Sequence, residues 1–114
     1  MLNNNLTGSV PRIFGALSDE TRFAIVERLM AEGELPAGEI GSGFDISAPA
    51  ISRHLNVLND AGVVQKRTSG QQRLYSVRPQ AIEQVCAWAI SHREFWEASL
   101  TRLEAALMKE TTRK

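Results

Sequence analysis

A chain of 114 residues with 43% hydrophobic and 23% charged residues has the composition and the length of one globular domain with a core of its own. It contains no low-complexity tract and no repeat of fixed period, which excludes disordered and solenoid proteins. The formal net charge is zero, and a single cysteine, Cys86, excludes an internal disulfide.

The N-terminal stretch MLNNNLTGSV lacks both the basic and the apolar region of a secretory signal. No run of residues reaches the eighteen or so consecutive apolar positions that a membrane-spanning helix requires. We therefore expect a cytoplasmic protein without a membrane partner.

The first third of the chain predicts two helices. After a frayed start over residues 1–8, apolar residues at the spacing i, i+3, i+4 and i+7 predict a short amphipathic helix over residues 9–17. These apolar residues are Val10, Ile13, Phe14 and Leu17. A second helix begins at a cap, Ser18 or Asp19, and ends at Gly33.

The apolar residues of the second helix surround much of its circumference, which predicts that the helix lies in the core. They are Phe23, Ile25, Val26, Leu29 and Met30. The next stretch, LPAGEIGSGF, holds a proline and three glycines. It therefore has room for a helix of two turns at most, around Ala37 to Ile40.

The segment DISAPAISRHLNVLNDAGVV predicts a longer helix over residues 48–61. Ser47 is suited to cap its start, Pro49 falls in its first turn, where a missing N–H costs nothing, and Gly62 ends it. The short polar stretch before this helix leaves only a tight turn after the preceding one. This is the spacing of a helix-turn-helix motif.

One side of the longer helix is apolar and must face the core, so the other side is exposed. The apolar residues are Ile51, Leu55 and Leu58, and the exposed ones are Ser47, Ala48, Pro49, Ser52, Arg53 and Asn56. Small residues at its start allow the helix to enter a DNA groove about 12 Å wide, where Arg53 can donate two hydrogen bonds to guanine. Ser52 or Asn56 can reach base edges or phosphates.

Two β-prone runs, VVQKRT and QRLYSV, predict a hairpin that turns at Gly70. The cationic and amide side chains near its tip are Lys66, Arg67, Gln71, Gln72 and Arg73. Such a tip suits contact with phosphates or with the minor groove. The alternative is that these side chains only keep an exposed sheet edge soluble.

The rest of the chain, residues 79–110, predicts one long helix. Some thirty residues at 1.5 Å each span about 45 Å, which is more than one domain of this size needs. An apolar stripe interrupted by His92 consists of Ile82, Val85, Ala89, Trp96, Leu100, Leu103 and Leu107. The stripe predicts a second copy of the chain as partner. The first helix is expected to contribute Ile13, Phe14 and Leu17.

The order of these elements predicts a mainly α fold with a β-hairpin wing. We expect a winged helix-turn-helix that forms a single domain over residues 1–114 and dimerises through its N- and C-terminal helices. We expect no cofactor.

Charge is segregated along the chain although the net charge is zero. Residues 19–39 hold six acidic and two basic residues, whereas residues 45–78 hold five basic and two acidic ones. A polyanion responds at short range to the local field. The segregation therefore favours a cationic surface on the helix and hairpin over the alternative of ordinary solvated charges.

Two motifs resemble the ArsR/SmtB family of bacterial winged-helix transcriptional regulators. Its Leu-x-Asp-x-Thr-Arg opening is matched by Leu17, Asp19, Thr21 and Arg22. Residues 47–77 match its signature Ser-x-x-x-(Ile/Val)-Ser-x-His-Leu-x-x-Leu-x-x-Ala-Gly-(Leu/Val)-Val, followed by a Gly-tipped wing and a tyrosine. The resemblance covers residues 10–107 and implies a small homodimer that represses its own operon. It also implies DNA contacts from Ser47, Pro49, Ser52, Arg53 and His54 in the groove and from Arg67, Gln71 and Arg73 on the wing.

The sequence departs from this family at the metal-binding box. The metal-sensing members carry Glu-Leu-Cys-x-Cys, where this chain reads ELPAG, with Pro36 and Gly38 at the cysteine positions. Neither residue can ligate a metal. A second type of site requires an Asp-x-His pair and further ligands across the dimer, whereas the last helix offers only His92. We therefore expect no metal site.

Several single side chains allow two interpretations. His92 is a packed, hydrogen-bonded residue or, less simply, a pH-responsive contact in a dimer interface. His54 bridges the core and a phosphate or only packs. Cys86 is expected to be a small buried hydrophobe rather than a redox sensor. Three aromatic residues belong to the core or the dimer interface, or else frame an effector pocket: Trp88, Phe95 and Trp96.

The leading hypothesis is a sequence-specific repressor of transcription that binds double-stranded DNA at an inverted repeat as a homodimer. The alternative is a winged-helix module for protein interaction or dimerisation without DNA, which the zero net charge and the uncharged Ala48 and Pro49 favour. An enzyme is disfavoured because no paired carboxylates, nucleophile triad or phosphate-binding glycine loop is recognisable. The sequence does not indicate an effector ligand.

Overall fold

The computed structural model describes residues 9–112, and the side chains of residues 9–110. The start predicted to be frayed, residues 1–8, lies outside the described residues. The chain divides into two compact units, one that ends at Gln84 and one that begins at Val85. The elements in chain order are α1 (Val10–Leu17), α2 (Glu20–Glu32), β1 (Leu35–Pro36), α3 (Ala37–Gly41), α4 (Ala48–Asp60), β2 (Val64–Ser69), β3 (Gln72–Val77), α5 (Pro79–Ser91) and α6 (Arg93–Thr112).

The core of the first unit lies among α1, α2, α4 and the small sheet, which contact one another. Both the helices and the start of the wing contribute to it. The largest fully buried side chains are Ile13, Ile25, Ile40, Leu55, Leu58, Val63 and Val64. The mainly α fold with a β-hairpin wing is confirmed.

Two apolar residues of α2 lie outside the core, contrary to the prediction. Phe23 and Met30 are 49% and 55% exposed, whereas Ile25, Val26 and Leu29 are buried. The neighbours of α2 are α1, α4 and β3. They cover the side of the helix that carries its three buried residues and leave Phe23 and Met30 in solvent.

The sheet has three antiparallel strands in the order β1-β3-β2. β2 and β3 form the predicted hairpin, in which Gly70 has a φ of +64°, a left-handed conformation that glycine adopts without strain. The sequence does not predict β1, because a strand of two residues has no detectable periodicity. Its Leu35 and Pro36 pair with Tyr75 and Leu74 of β3, so the wing is tied to the segment between α2 and α3.

Asp19 caps α2. Its carboxylate accepts a hydrogen bond from the backbone N–H of Arg22 at 3.0 Å. This bond, together with the positive charge of Arg22, holds the pKa of Asp19 below its ordinary value. Gly33 ends the helix with a φ of +84°. The predicted boundaries of this helix are confirmed, and the cap is Asp19 rather than Ser18.

α4 forms where the sequence predicts it. The Ser47 hydroxyl accepts a hydrogen bond from the backbone N–H of Ala50 at 3.2 Å, and Pro49 lies in the first turn. Beyond the last turn, Gly62 has a φ of +80°. Local signals at both ends therefore set the length of this helix.

The prediction of one continuous helix over residues 79–110 is wrong, because α5 ends at Ser91 and α6 begins at Arg93. The Ser91 hydroxyl donates to the Trp88 carbonyl at 2.8 Å, and His92 Nδ1 lies 2.9 Å from the same oxygen. The His92 backbone N–H instead reaches the Ala89 carbonyl. Polar side chains thus compete for the carbonyl that a continuous helix would use, and the helix breaks there.

The helices among residues 9–112 differ in length or hydropathy from membrane-spanning helices. None of them is both long and apolar enough to cross a membrane.

We expect Asp19→Ala to lower the melting temperature near neutral pH, because the N–H of Arg22 loses its acceptor. When folding lowers the pKa of a carboxylate, the group stabilises the folded protein at every pH above its pKa in the unfolded chain. This contribution is lost as the pH falls through the pKa in the folded protein. The difference between wild type and variant should therefore shrink below pH 3.8, the ordinary value for an aspartate. Thermal unfolding by circular dichroism over a pH series measures both effects.

The control is Glu20→Ala, which removes an exposed carboxylate from the same helical turn. It should not reproduce the pH dependence. A destabilisation by Asp19→Ala that stays constant down to the acid end of the series would contradict the assigned role of the cap.

Candidate nucleic-acid interface

α4 has one buried side and one open side, as predicted. Ile51, Leu55 and Leu58 are only 3%, 0% and 0% exposed. The exposed positions at its start and along its open side are Ser47, Ala48, Pro49, Ser52, Arg53 and Asn56. Six of the predicted DNA contacts therefore share one accessible surface, which we call the reading face.

A cleft of about 200 Å³ flanks the reading face between α3 and the start of α4. Its lining is mostly apolar or small: Ala37, Gly38, Gly41, Ile46, Ala48, Ile51 and Ser52. A Cβ atom at Gly41 would lie 3.4 Å from the side chain of Ile51, so α3 and α4 pack closely at this position. An apolar flank of this kind can accept a thymine methyl group.

The register of the hairpin assigns the wing cations to two faces. Lys66 lies opposite Tyr75, and Arg67 lies opposite Leu74. Residues opposite each other share a face, and successive residues alternate. Lys66 and Arg73 therefore lie on one face of the wing, and Arg67 lies on the other.

Arg67 is engaged within its own subunit. Its Nε and Nη2 donate to the two carboxylate oxygens of Glu34 at 2.9 Å each. The hydrogen bond and the opposite charge hold the pKa of Glu34 below its ordinary value and raise the pKa of Arg67. The sequence does not reveal this pair, because its partners are 33 positions apart and meet only through β1.

The other predicted wing contacts are exposed. Gln71 lies in the turn, and Lys66, Gln72 and Arg73 lie on the strands. Among the ion pairs of the described residues, none involves Lys66 or Arg73. These two cations are available to an anionic partner.

His54 lies between α4 and α2 rather than on the reading face. Its Nδ1 is 3.2 Å from Nη1 of Arg22 and 3.9 Å from a carboxylate oxygen of Asp19. The Arg22 Nε donates to the Ala16 carbonyl at 2.7 Å. The motif that opens α2 thus binds a side chain of the helix that carries the reading face.

The second unit exposes apolar surface. Leu103 and Leu107 of α6 are 53% and 57% exposed, and Phe95 is 78% exposed. Phe95 and Trp96 form an edge-to-face pair with ring centroids 4.6 Å apart. Phe95 therefore does not belong to a core within the chain.

One of the predicted dimer contacts is wrong. Ile13 is fully buried in its own subunit, so it is not available to a second copy. Phe14 remains exposed and Leu17 is half-buried. The helical period turns Ile13 and Ala16 inward, whereas the spacing of the apolar residues alone suggested a different side.

Two single residues also differ from expectation. Cys86 is exposed, so the prediction of a buried hydrophobe is wrong. His92 is hydrogen-bonded, as expected, but exposed at the break between α5 and α6.

Pro36 and Gly38, at the positions of the cysteine box, lie in β1 and α3. Among residues 9–112, no three potential ligands from histidine, cysteine, aspartate and glutamate are grouped to hold a metal ion.

Comparisons with known proteins point to one family. Residues 17–67 match a family model described as a helix-turn-helix domain. The HTH-type transcriptional regulator Rv2034 of Mycobacterium tuberculosis is 41% identical over 93 residues, which cover 82% of this chain and 83% of that protein. The arsenical resistance operon repressor of Escherichia coli is 34% identical over 95 residues, which cover 82% of this chain and 78% of that protein.

A solved structure shares the fold. The crystal structure of an ArsR family transcriptional regulator superposes with a TM-score of 0.70 at 31% sequence identity. The match covers 77% of this chain and 90% of that chain.

We expect Arg67→Ala to raise the pKa of Glu34 toward its ordinary value, because the carboxylate loses both hydrogen bonds and the neighbouring positive charge. The ¹³C chemical shift of the Glu34 carboxyl group, followed by NMR through an acid titration, measures this change. Arg73→Ala is the matched control, because Arg73 lies on the other face of the wing. An unchanged Glu34 titration in Arg67→Ala would show that the ion pair does not form in solution.

Proposed function

This chain belongs to the ArsR/SmtB family of winged-helix transcriptional regulators, and we propose that it is a sequence-specific repressor that binds an inverted-repeat operator as a homodimer. One observation carries the proposal: every residue of the reading face of α4 is exposed, and the face belongs to the same unit as a wing with two exposed cations, Lys66 and Arg73. The repressor acts in the cytoplasm and has no catalytic role.

In the proposed complex, the start of α4 enters the major groove. Arg53 donates two hydrogen bonds to the O6 and N7 atoms of guanine, and Ser52 and Asn56 reach base edges or phosphates. The capped start of α4 carries no acidic residue in its first turn. The positive end of the helix dipole is therefore suited to a phosphate.

The wing supplies contacts that do not depend on base sequence. Lys66 and Arg73 share a face and neutralise phosphates, and Gln71 and Gln72 at the tip can donate to phosphate oxygens. Arg67 contributes less, because Glu34 already binds its guanidinium. The wing therefore sets affinity for any duplex, and α4 distinguishes between sequences.

The homodimer rests on the apolar surface of the second unit. Leu100, Leu103 and Leu107 recur along one side of α6, and the last two are more than half exposed. Burying such a surface against a second copy removes it from water. A two-fold axis then repeats the reading face, which requires half-sites about 34 to 36 Å apart.

We expect Arg53→Ala to reduce discrimination at one base pair of each half-site by about tenfold or more, since a bidentate contact to guanine is lost. Arg73→Ala should weaken binding to every duplex alike and lower the salt slope by about one per protomer. Fluorescence anisotropy on a duplex selected from a random pool, on its point variants and on an unrelated duplex measures both effects over a salt series.

Arg67→Ala is the matched control on the wing, and it should change the salt slope less than Arg73→Ala because Arg67 is already paired. Equal losses on all duplexes from both Arg53→Ala and Arg73→Ala would contradict direct reading by α4. Binding without any salt slope would favour a protein-interaction module instead.

We expect Leu103→Glu to convert the dimer to a monomer, because a charge would be placed in an apolar interface. Sedimentation velocity measures the mass in solution. Thr101→Glu is the control on the same helix, since its side chain points about 200° away from that of Leu103. An unchanged dimer in Leu103→Glu would place the interface elsewhere.

A further inference from the structure

Arg22 connects three elements through its backbone and its side chain. Its backbone N–H donates to the carboxylate of Asp19, and its Nε donates to the Ala16 carbonyl near the end of α1. Its Nη1 lies 3.2 Å from Nδ1 of His54 on α4. The guanidinium is thus held at the α1–α2 corner with one nitrogen directed at α4.

This contact fixes the proton of the imidazole ring. A guanidinium has donors only, so Nδ1 of His54 must be the acceptor. A ring that accepts through Nδ1 is neutral and carries its proton on Nε2. Asp19 does not compete for Nδ1, because its carboxylate oxygen is 3.9 Å away, beyond hydrogen-bonding distance, and accepts from the backbone instead.

His54 is placed to use that proton. It follows Arg53 in the chain, and its side chain is 23% exposed. Among the described residues, the hydrogen bond of His54 uses Nδ1, which leaves the Nε2–H for a partner outside the subunit. A phosphate oxygen can accept a hydrogen bond from this N–H. Because the ring is neutral, no charged imidazolium has to be desolvated.

We propose that Arg22 is a positioning residue for operator binding: through Nδ1 of His54 it holds the middle of α4 against the α1–α2 corner and leaves the Nε2 proton of His54 to donate to a DNA phosphate. The inference rests on the proposed function. It assigns to the opening motif a role in DNA binding although Arg22 itself contacts no DNA.

A double-mutant cycle tests whether Arg22 acts through His54. DNA affinity is measured by anisotropy on the selected duplex, well below the melting temperature of each variant. Arg22→Ala and His54→Ala should each weaken binding by about tenfold, as expected for one hydrogen bond to a charged group. The double variant should bind no more weakly than the weaker single variant. Additive losses would overturn the proposal, because Arg22 would then contact DNA by itself.

Arg12→Ala is the matched control. Arg12 also lies on the first unit and donates from its guanidinium to α4, but to the backbone carbonyl of Asp60 at its far end. This variant should lower the melting temperature slightly and leave DNA affinity unchanged. A loss of affinity equal to that of Arg22→Ala would show that any weakening of the contact between α1 and α4 suffices, and would overturn the specific role of His54.

Two isosteric variants test the ring proton. Asparagine can place an acceptor near the position of Nδ1, whereas glutamine can place a donor near the position of Nε2. His54→Gln should keep the DNA affinity of the wild type, and His54→Asn should lose about tenfold. The salt slope should stay the same in both variants, because a neutral donor neutralises no phosphate. Equal affinities in the two variants would overturn the assignment of Nε2 as a phosphate donor.

Arg22→Lys is a second test of the role of Arg22, for the case that Arg22→Ala does not fold. Lysine retains the charge, but one ammonium group cannot reach the Ala16 carbonyl and His54 in the geometry of a guanidinium. It should reproduce the loss of affinity with a smaller loss of stability. A wild-type protein that selects no duplex would contradict the proposed function, whereas a wild type that binds with all Arg22 variants unaffected would overturn the positioning role alone.

Discussion

The packing of three side chains beneath α4 is the constraint on which the rest of the structure depends. Ile51, Leu55 and Leu58 are almost inaccessible to solvent, and truncating one of the leucines to alanine typically costs about 2–5 kcal/mol. That is a large part of the total stability of a small domain, about 5–15 kcal/mol. The helical period then leaves Ser52 and Arg53 no direction but outward. A protein of this size cannot rotate α4 without losing its fold.

Local signals made the helices of the first unit predictable. Asp19 and Ser47 accept from backbone N–H groups within their own helices, and Gly33 and Gly62 adopt left-handed conformations just beyond the ends. Each signal lies within a few residues of the boundary it sets. The reading face could be predicted from the same helix. Its largest apolar residues lie on one side, which packs on the core, so the opposite side is left exposed.

Contacts between distant residues could not be predicted in the same way. β1 exists because β3 offers it an edge, and Glu34 and Arg67 meet only after that pairing has formed. The break at His92 depends on which group reaches the Trp88 carbonyl, a competition that hydrophobic spacing does not describe. Periodicity likewise placed Ile13 at an interface, whereas the packing of α1 places it in the core.

The distribution of charge explains how a chain of zero net charge can serve as a specific rather than a general DNA-binding protein. Each cation that neutralises a phosphate strengthens binding to every sequence equally, and specificity depends on the ratio between the operator and the many competing sites. Glu34 pairs with Arg67, one of the three wing cations, and so reduces its contribution to the affinity that is the same for every sequence. This pairing lowers the affinity for arbitrary duplexes, so in the proposed complex a larger share of the binding free energy comes from base contacts made by α4.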